Sequence, residues 1–249
     1  INYAQRIQEA ILPLKTEMMQ HLTDSFIMFW PKDVVSGDFY WFYQRGEESI
    51  IVCADCTGHG VPGAFMSMIG VDKLNVCVGE KGITSPDKIL SFLNEGIKTS
   101  LRQDDGKKAT RDGMDAAIIT INQKEKTIKY AGAHRPLWFI QKGELHEIRA
   151  TKVAVGGFTP INQVYELHEM KIEETTSFYM TSDGYADQFG GPNDKKFKVK
   201  AMKTLLIDNY KKPMTEQQEV LEQEMKAWSK GYEQVDDICV IGVVVEVSD

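Results

Sequence analysis

Ser49-Ile50-Ile51-Val52-Cys53-Ala54-Asp55-Cys56-Thr57-Gly58-His59-Gly60-Val61-Pro62 carries the chain from one kind of structure to another. Ser49–Ala54 is apolar and β-branched, the composition of a strand with little exposed face. An aspartate stands where that strand stops, glycines flank a histidine just beyond it, and Pro62 suits the first turn of a helix. From Val61 to Val78 the pattern is helical. Upstream, Phe26–Trp30 and Asp38–Tyr43 are aromatic-rich strand candidates, and Gly46 with Glu47 and Glu48 marks the turn into the quoted segment. Downstream, Pro86–Leu101 spaces Ile89, Leu90, Leu93, Ile97 and Leu101 at helical period, with Ser85 as N-cap.

The rest of the chain repeats this grouping. Ala116–Ile121, Thr127–Ala131, Leu137–Gln141 and Leu145–Ala150 come at hairpin spacing and read as a meander, with Lys142-Gly143 as one turn. Thr176–Thr181 is a further strand, Lys198–Tyr210 and Thr215–Lys230 are helices, and Ile238–Val247 is a continuous apolar strand buried on both faces. Runs of strands separated by paired helices argue for an α+β fold rather than a doubly wound sheet. The expected architecture is a β-sandwich of two mostly antiparallel sheets flanked by helices, one domain over residues 23–249.

Residues 1–22 read differently. Ala4, Ile7, Ile11, Leu14 and Met18 follow a coiled-coil-like seam that is already under way at Ile1, and Pro13 ends the helix near Leu12. This segment is expected to be a linker or dimer helix continuing from an upstream domain; an ordinary amphipathic helix is the plainer alternative.

Composition narrows the function. Of 249 residues, 42% are apolar, and 29 basic against 36 acidic side chains give a net charge of −7. An acidic chain without a basic cluster is poorly suited to nucleic acid. The apolar runs are shorter than the roughly 20 residues of a membrane span. Four cysteines in a chain of this length do not make a disulfide scaffold and fit a reducing cytoplasm. Cys53 and Cys56 have the spacing of half a zinc site or a redox pair, but no second pair completes it.

The chemistry sits where strands begin or stop. Ser36-Gly37-Asp38, Asp55 in the quoted stretch, Thr181-Ser182-Asp183-Gly184 and Asp236-Asp237 all place aspartates at strand termini. Each Asp-Gly pair alone reads as a turn. Taken together at one sheet edge, such carboxylates repel unless cations hold them ionised, and all-oxygen ligands favour Mg²⁺, Mn²⁺ or Ca²⁺. Two such ions side by side activate water against a phosphate ester. His59 is a candidate for proton transfer and equally a loop histidine. His134 is read as structural, and Asp112 and Asp115 as a solvated turn.

These motifs resemble a known family. Gly37-Asp38-Phe39-Tyr40, Ala54-Asp55-Cys56-Thr57-Gly58-His59-Gly60, Ala131-Gly132 with His134 and Pro136, Thr181-Ser182-Asp183-Gly184 and Asp236-Asp237-Ile238 occur in the order of the SpoIIE/RsbU-type branch of the PPM serine/threonine protein phosphatases. Gln5-Arg6-Ile7-Gln8-Glu9-Ala10-Ile11-Leu12-Pro13 is similar to the helix that leads into such domains. The resemblance implies a helix-flanked β-sandwich that removes phosphate from phosphoserine or phosphothreonine with a water bridging two Mn²⁺ or Mg²⁺ ions, and it offers a third metal on Asp112 and Asp115 as the alternative to a solvated turn. It implies Asp38, Asp55, Asp183, the Cys56 carbonyl and Asp236 or Asp237, with Asp236 favoured, as metal ligands. Asp38, Asp55 and Asp183 are the catalytic set, and Lys32 and His59 are candidates for the substrate phosphate. Cys56, standing where relatives carry glycine, is expected to make the site sensitive to oxidation. The implied substrate is a phosphorylated regulatory protein of the STAS-type anti-sigma-factor-antagonist class. The implied context is a cytoplasmic signalling protein with an upstream sensor domain and a homodimer through the N-terminal helix. The competing reading is an inactive regulatory or dimerisation module of the same fold.

Overall fold

The computed structural model describes residues 2–104, 106 and 109–248; Ile1, where the expected N-terminal segment begins, lies outside them. Helices α1 (Asn2–Ile11) and α2 (Lys15–His21) precede strands β1 (Ser25–Trp30), β2 (Asp38–Arg45) and β3 (Glu48–Cys56). Helix α3 (Gly60–Leu74) runs on through a wider π-type segment over Asn75–Glu80, and α4 (Pro86–Ser100) returns beside it. Then come β4 (Gly113–Asn122), β5 (Thr127–Ala133), β6 (Leu137–Gln141), β7 (Glu144–Ile148), β8 (Val155–Gly156), β9 (His168–Lys171) and β10 (Thr176–Thr181). A single turn α5 (Gly184–Asp187), a ribbon of β11 (Phe189–Gly190) and β12 (Lys195–Lys196), helices α6 (Val199–Asn209) and α7 (Met214–Trp228) and strand β13 (Ile238–Val245) complete the order.

Two antiparallel sheets stack, as the strand grouping predicts. One has the order β1-β13-β10-β6-β7; the other runs β2-β3-β4-β5-β9, with β8 beside the start of β4. Strand β13 shows why the sequence there does not alternate. Ile238 and Val240 pack toward α6 and α7, whereas Cys239, Ile241, Val243 and Val245 face the second sheet, so both faces are buried. Its neighbours divide the same way: Phe26, Met28 and Tyr179 join the helix side, and Ile27, Phe178 and Met180 the inter-sheet side. Each large apolar side chain buried in this manner contributes about 1.5–3 kcal/mol. At Gly242 a Cβ would come within 2.4 Å of the Phe26 ring, so the missing side chain is what lets β1 and β13 pack at that distance. On the outer face of the second sheet, α3 and α4 supply Val71, Leu74, Ile89, Leu90, Leu93 and Ile97 to the main core.

The structure departs from the sequence reading in several places. The expected four-strand meander is divided: β4 and β5 belong to one sheet and β6 and β7 to the other, the chain crossing between them through Ala133–Pro136. Hairpin spacing is the same whether the next strand pairs in plane or crosses the sandwich, so the spacing alone did not distinguish them. Lys142 and Gly143 do form the tight turn, both with positive φ (48° and 81°). Ser85 occupies the N-cap position of α4 without capping it, because its hydroxyl donates to the Asp87 carboxylate. The N-terminal seam is interrupted at Pro13: Met18 and Leu22 are buried in the core, Leu14 is 63% exposed and the buried residue of α1 is Gln8. Proline removes a backbone donor and Leu14 is extended (ψ 131°), so the faces of α1 and α2 no longer continue one stripe. The helical stretch Gly60–Glu80 is long and apolar enough, by length and composition, to cross a membrane, and half of the tested window is buried within the fold.

Candidate metal centre

Register gathers the first carboxylates. Asp38 opens β2 directly opposite Asp55 near the end of β3, and Asp55 is opposite Asp115 on β4. Directly paired residues of an antiparallel sheet share a face, with Cβ atoms about 4.5–5.5 Å apart. The other sheet meets this row from across the sandwich. Ser182 donates its N–H to Cys239 O (2.9 Å) and accepts from Cys239 N through its hydroxyl (2.9 Å), which fixes Asp183 beside Asp236-Asp237.

Glycines allow the close approach. A Cβ on Gly37 would stand 2.4 Å from Gly58 O, and one on Gly63 would meet the same oxygen at 2.4 Å and Gly37 Cα at 2.8 Å. The loop before Asp38, the loop after Asp55 and the first turn of α3 therefore touch backbone to backbone. Asp237 fastens the arrangement. Its Oδ1 accepts from Lys32 N and its Oδ2 from Gly37 N, each at 2.8 Å, and the residue is 1% exposed. A second tie comes from α1: Gln8 donates to Ser36 O (2.7 Å) and Ser67 Oγ (3.0 Å) while its Oε1 accepts from Ser36 N (2.9 Å).

Electrostatics follow from crowding acids in a dry corner. Burial, and then the Asp183 carboxylate, push Asp55 up to about 8, with Arg135 pulling the other way. Burial followed by Asp55 holds Asp38 well above the carboxylate range. Asp115 and Asp236 are raised as well, burial being the largest cause in both. Asp38 Oδ2 is buried and has no hydrogen-bond partner. A buried acceptor left unpaired is costly, and a carboxylate oxygen among other carboxylates is what a hard cation with oxygen ligands satisfies. Asp38, Asp55, Asp183 and Asp236 thus fit a divalent metal by their chemistry. As the side chains stand, no three acidic, histidine or cysteine groups among the described residues close on one coordination point.

The remaining candidates are distributed unevenly. Lys32 is tied in through its backbone N–H. His59 precedes the first turn of α3, is exposed, and its Nδ1 lies 3.1 Å from Asp33 Oδ2, so its ring is held by that carboxylate rather than by the cluster. Cys56 is fully buried, and burial with the Asp38 and Asp55 charges pushes its thiol well up. Burial and the raised pKa of this thiol both work against the oxidation sensitivity expected of it. Cys53 and Cys56, three apart on a strand, point to opposite faces, and the Cys53 thiol donates to Cys239 O at 3.9 Å. Asp115 is also corrected, from a solvated turn to a partly buried strand residue opposite Asp55.

Arg135 was missed as a site residue. Its guanidinium reaches Thr181 O at 3.5 Å, its Nε is buried without a partner, and its charge opposes the upward shifts of Asp55 and Asp115. The signal lies in Ala133-His134-Arg135-Pro136, where the arginine directly follows the histidine between two strands. His134 is exposed with φ 59°, its N–H donating to Thr151 O at 3.0 Å.

Comparison with known proteins places the chain and its fold among relatives. The family profile of Stage II sporulation protein E matches residues 45–246. The SiaA PP2C domain of Pseudomonas aeruginosa has 29% identity and a TM-score of 0.87, covering 97% of this chain and 94% of that one. The PP2C phosphatase domain of SpoIIE from Bacillus subtilis, solved with a fragment of its regulatory domain, has 18% identity, a TM-score of 0.69 and coverage of 91% and 64%. RsbX, crystallised in complex with magnesium, has 19% identity, a TM-score of 0.61 and coverage of 88% and 94%. At those two lower identities the likeness is one of fold. No curated protein matches the chain by sequence.

Proposed function

Because the chain belongs to the Stage II sporulation protein E family and carries its PP2C-type phosphatase domain, we propose that it is a metal-dependent protein serine/threonine phosphatase. The observation that carries this reading is the unpaired, buried Asp38 Oδ2 in a row of carboxylates that burial and mutual repulsion push toward protonation. Asp38, Asp55, Asp183, Asp236 and the Cys56 carbonyl would hold two Mn²⁺ or Mg²⁺ ions. When bound, such ions lower the pKa of water to make a nucleophile at neutral pH and neutralise a phosphoryl group. Asp237 has both oxygens engaged by backbone N–H groups, so its part is to fix the loop that presents Asp38. Arg135 contributes a fixed positive charge beside the acids, suited to a substrate phosphate because a guanidinium donates in a planar fork. His59, paired with Asp33, stands at the rim where a leaving group would take up a proton.

The substrate in this reading is a phosphorylated regulatory protein of the anti-sigma-factor-antagonist class, in a cytoplasmic signalling pathway. Residues 1–22 act as the linker from an upstream sensor, pair with a second copy, and reach the site through Gln8; residues 23–249 are the catalytic domain. Mn²⁺-dependent release of phosphate from a phosphoserine peptide by the purified protein tests the activity, with Asp55→Asn and Asp183→Asn as the disabled forms. Equal rates in all three proteins would refute the assigned site.

A further inference from the structure

Beside the carboxylate row lies a groove of about 360 Å³ whose floor begins at Thr57, two residues past Asp55, and runs past His134 and Arg111 to Phe158 and Pro160. Thr57 is locked to β4, donating through N and Oγ1 to Gly113 O (2.9 and 3.0 Å) and accepting from Gly113 N. The groove thus starts two residues along the chain from each of the paired Asp55 and Asp115.

Its far wall is the segment between β8 and β9, and this wall is constructed with unusual care. Three buried polar side chains read its backbone. Asn94 accepts from Gly156 N (2.7 Å) and donates to Pro160 O (2.8 Å), Lys98 donates to Gly157 O (3.0 Å), and Gln103 accepts from Gly157 N (2.8 Å). They are 0%, 4% and 8% exposed. Burying an amide or ammonium costs stability unless every such bond is made, so the fold spends polar burial on holding this wall in one shape. What the wall displays is apolar: Phe158 is 77% exposed, and its ring carries the Arg111 guanidinium at 4.5 Å. A rigid aromatic and an arginine on a preorganised support are the residue types that dominate protein recognition. Among the described residues lining the groove none is acidic, in a chain whose net charge is −7.

We infer that this groove binds the polypeptide on either side of the phosphorylated residue, and that it selects substrate segments carrying an apolar residue and an acidic residue next to the phosphoserine or phosphothreonine. The inference rests on the phosphatase reading and adds its sequence preference. Phe158 receives the apolar side chain and Arg111 the acidic one; the Arg111 charge, in a groove with no acid among its described lining residues, disfavours basic segments.

The test is fluorescence anisotropy with two labelled phosphoserine peptides and Asp55→Asn protein in Mn²⁺, so that binding is read without turnover. One peptide flanks phosphoserine with leucine and aspartate, the other with glycine and lysine. The first is expected to bind about 10-fold more tightly or better, the size of a single strong interface residue. Phe158→Ala and Arg111→Gln should each remove most of that preference, Arg111→Gln also flattening its salt dependence, while Phe158→Tyr, which keeps the ring, retains it. Equal binding of the two peptides, or an intact preference in Phe158→Ala and Arg111→Gln, overturns the inference. Failure of the phosphatase reading appears separately, as no phosphate release by the unsubstituted protein from either peptide or from an aryl phosphate.

Discussion

The two helical layers of this sandwich are built on opposite principles. Helices α6 and α7 meet their sheet through Met202, Leu206, Met214, Leu221 and Met225; Gln217, also buried, bonds to Tyr179 of the sheet beneath it and to the turn at Tyr210–Lys212. On the other side, buried polar groups of α3 and α4 reach outward. Ser67 bonds to Gln8 of α1, and Asn94 and Lys98 bond to the wall of the groove. Apolar contacts are non-directional and tolerate small shifts, whereas hydrogen bonds to a backbone specify position. Both layers bury apolar side chains for stability, and the α3–α4 layer adds placement of the parts around the carboxylates.

That contrast is broken most severely at the acids themselves. Asp55→Asn should lower Mn²⁺-dependent phosphate release by about 1,000-fold, or some 4 kcal/mol of barrier. It should simultaneously raise the melting temperature of the metal-free protein at neutral pH, since the folded state no longer has to hold a proton on a buried carboxyl that the unfolded chain would ionise. A melting temperature that falls would mean the carboxylates support the fold rather than burden it. In the other layer the effects reverse. Leu221→Ala should cost about 3 kcal/mol of stability by denaturant titration and leave kcat within about 2-fold at temperatures where the protein is folded. A large loss of kcat without unfolding would erase the distinction between the layers.

Legibility in the sequence follows the same division. The apolar contacts were readable in both layers because burial imposes periodicity: Ile89, Leu90, Leu93 and Ile97 could be placed on a helix face, and Ile238–Val247 between two layers, without coordinates. Asp38, Asp55, Asp183 and Asp236 were readable because strand ends and glycines mark them. The polar ties were not. Gln8 sits in α1 among residues whose apolar spacing suggested a seam, and nothing in its neighbours announces that its amide meets Ser36 and Ser67 across 28 and 59 residues of chain. Arg135 and Asp115 escaped for a related reason, since their significance lies in cross-sheet register, which pairs residues far apart in sequence. The chain's crossing from one sheet to the other after β5 escaped because hairpin spacing does not encode the plane of the next strand.

Gln8→Ala tests whether the placement layer extends into α1. It leaves Ser36 N–H and Ser36 O unpaired in a buried position, a loss of about 1–3 kcal/mol. Because Ser36 precedes Gly37-Asp38, the expected result is weaker Mn²⁺ activation and faster amide exchange over residues 2–11, with global stability lowered by no more than that amount. Unaltered metal activation alongside faster exchange would confine Gln8 to holding the helix.

The gentlest perturbation is pH, and its sign is fixed by the acids. In the metal-free fold Asp55 titrates near 8 because burial and Asp183 oppose its charge, while in the unfolded chain an aspartate titrates near 3.9. The folded state therefore holds the proton more tightly, and the metal-free protein loses stability as pH rises from about 4 to about 8. Metal must displace that proton, so apparent Mn²⁺ affinity should rise across the same window by up to about 10-fold per pH unit for each proton released, or about 1.4 kcal/mol, and level off above about 8. Calorimetry in two buffers of different ionisation enthalpy counts the protons. Affinity independent of pH between 6 and 8, with no proton released, would show that the acids reach the metal already ionised and that their crowding is relieved by something other than the cation.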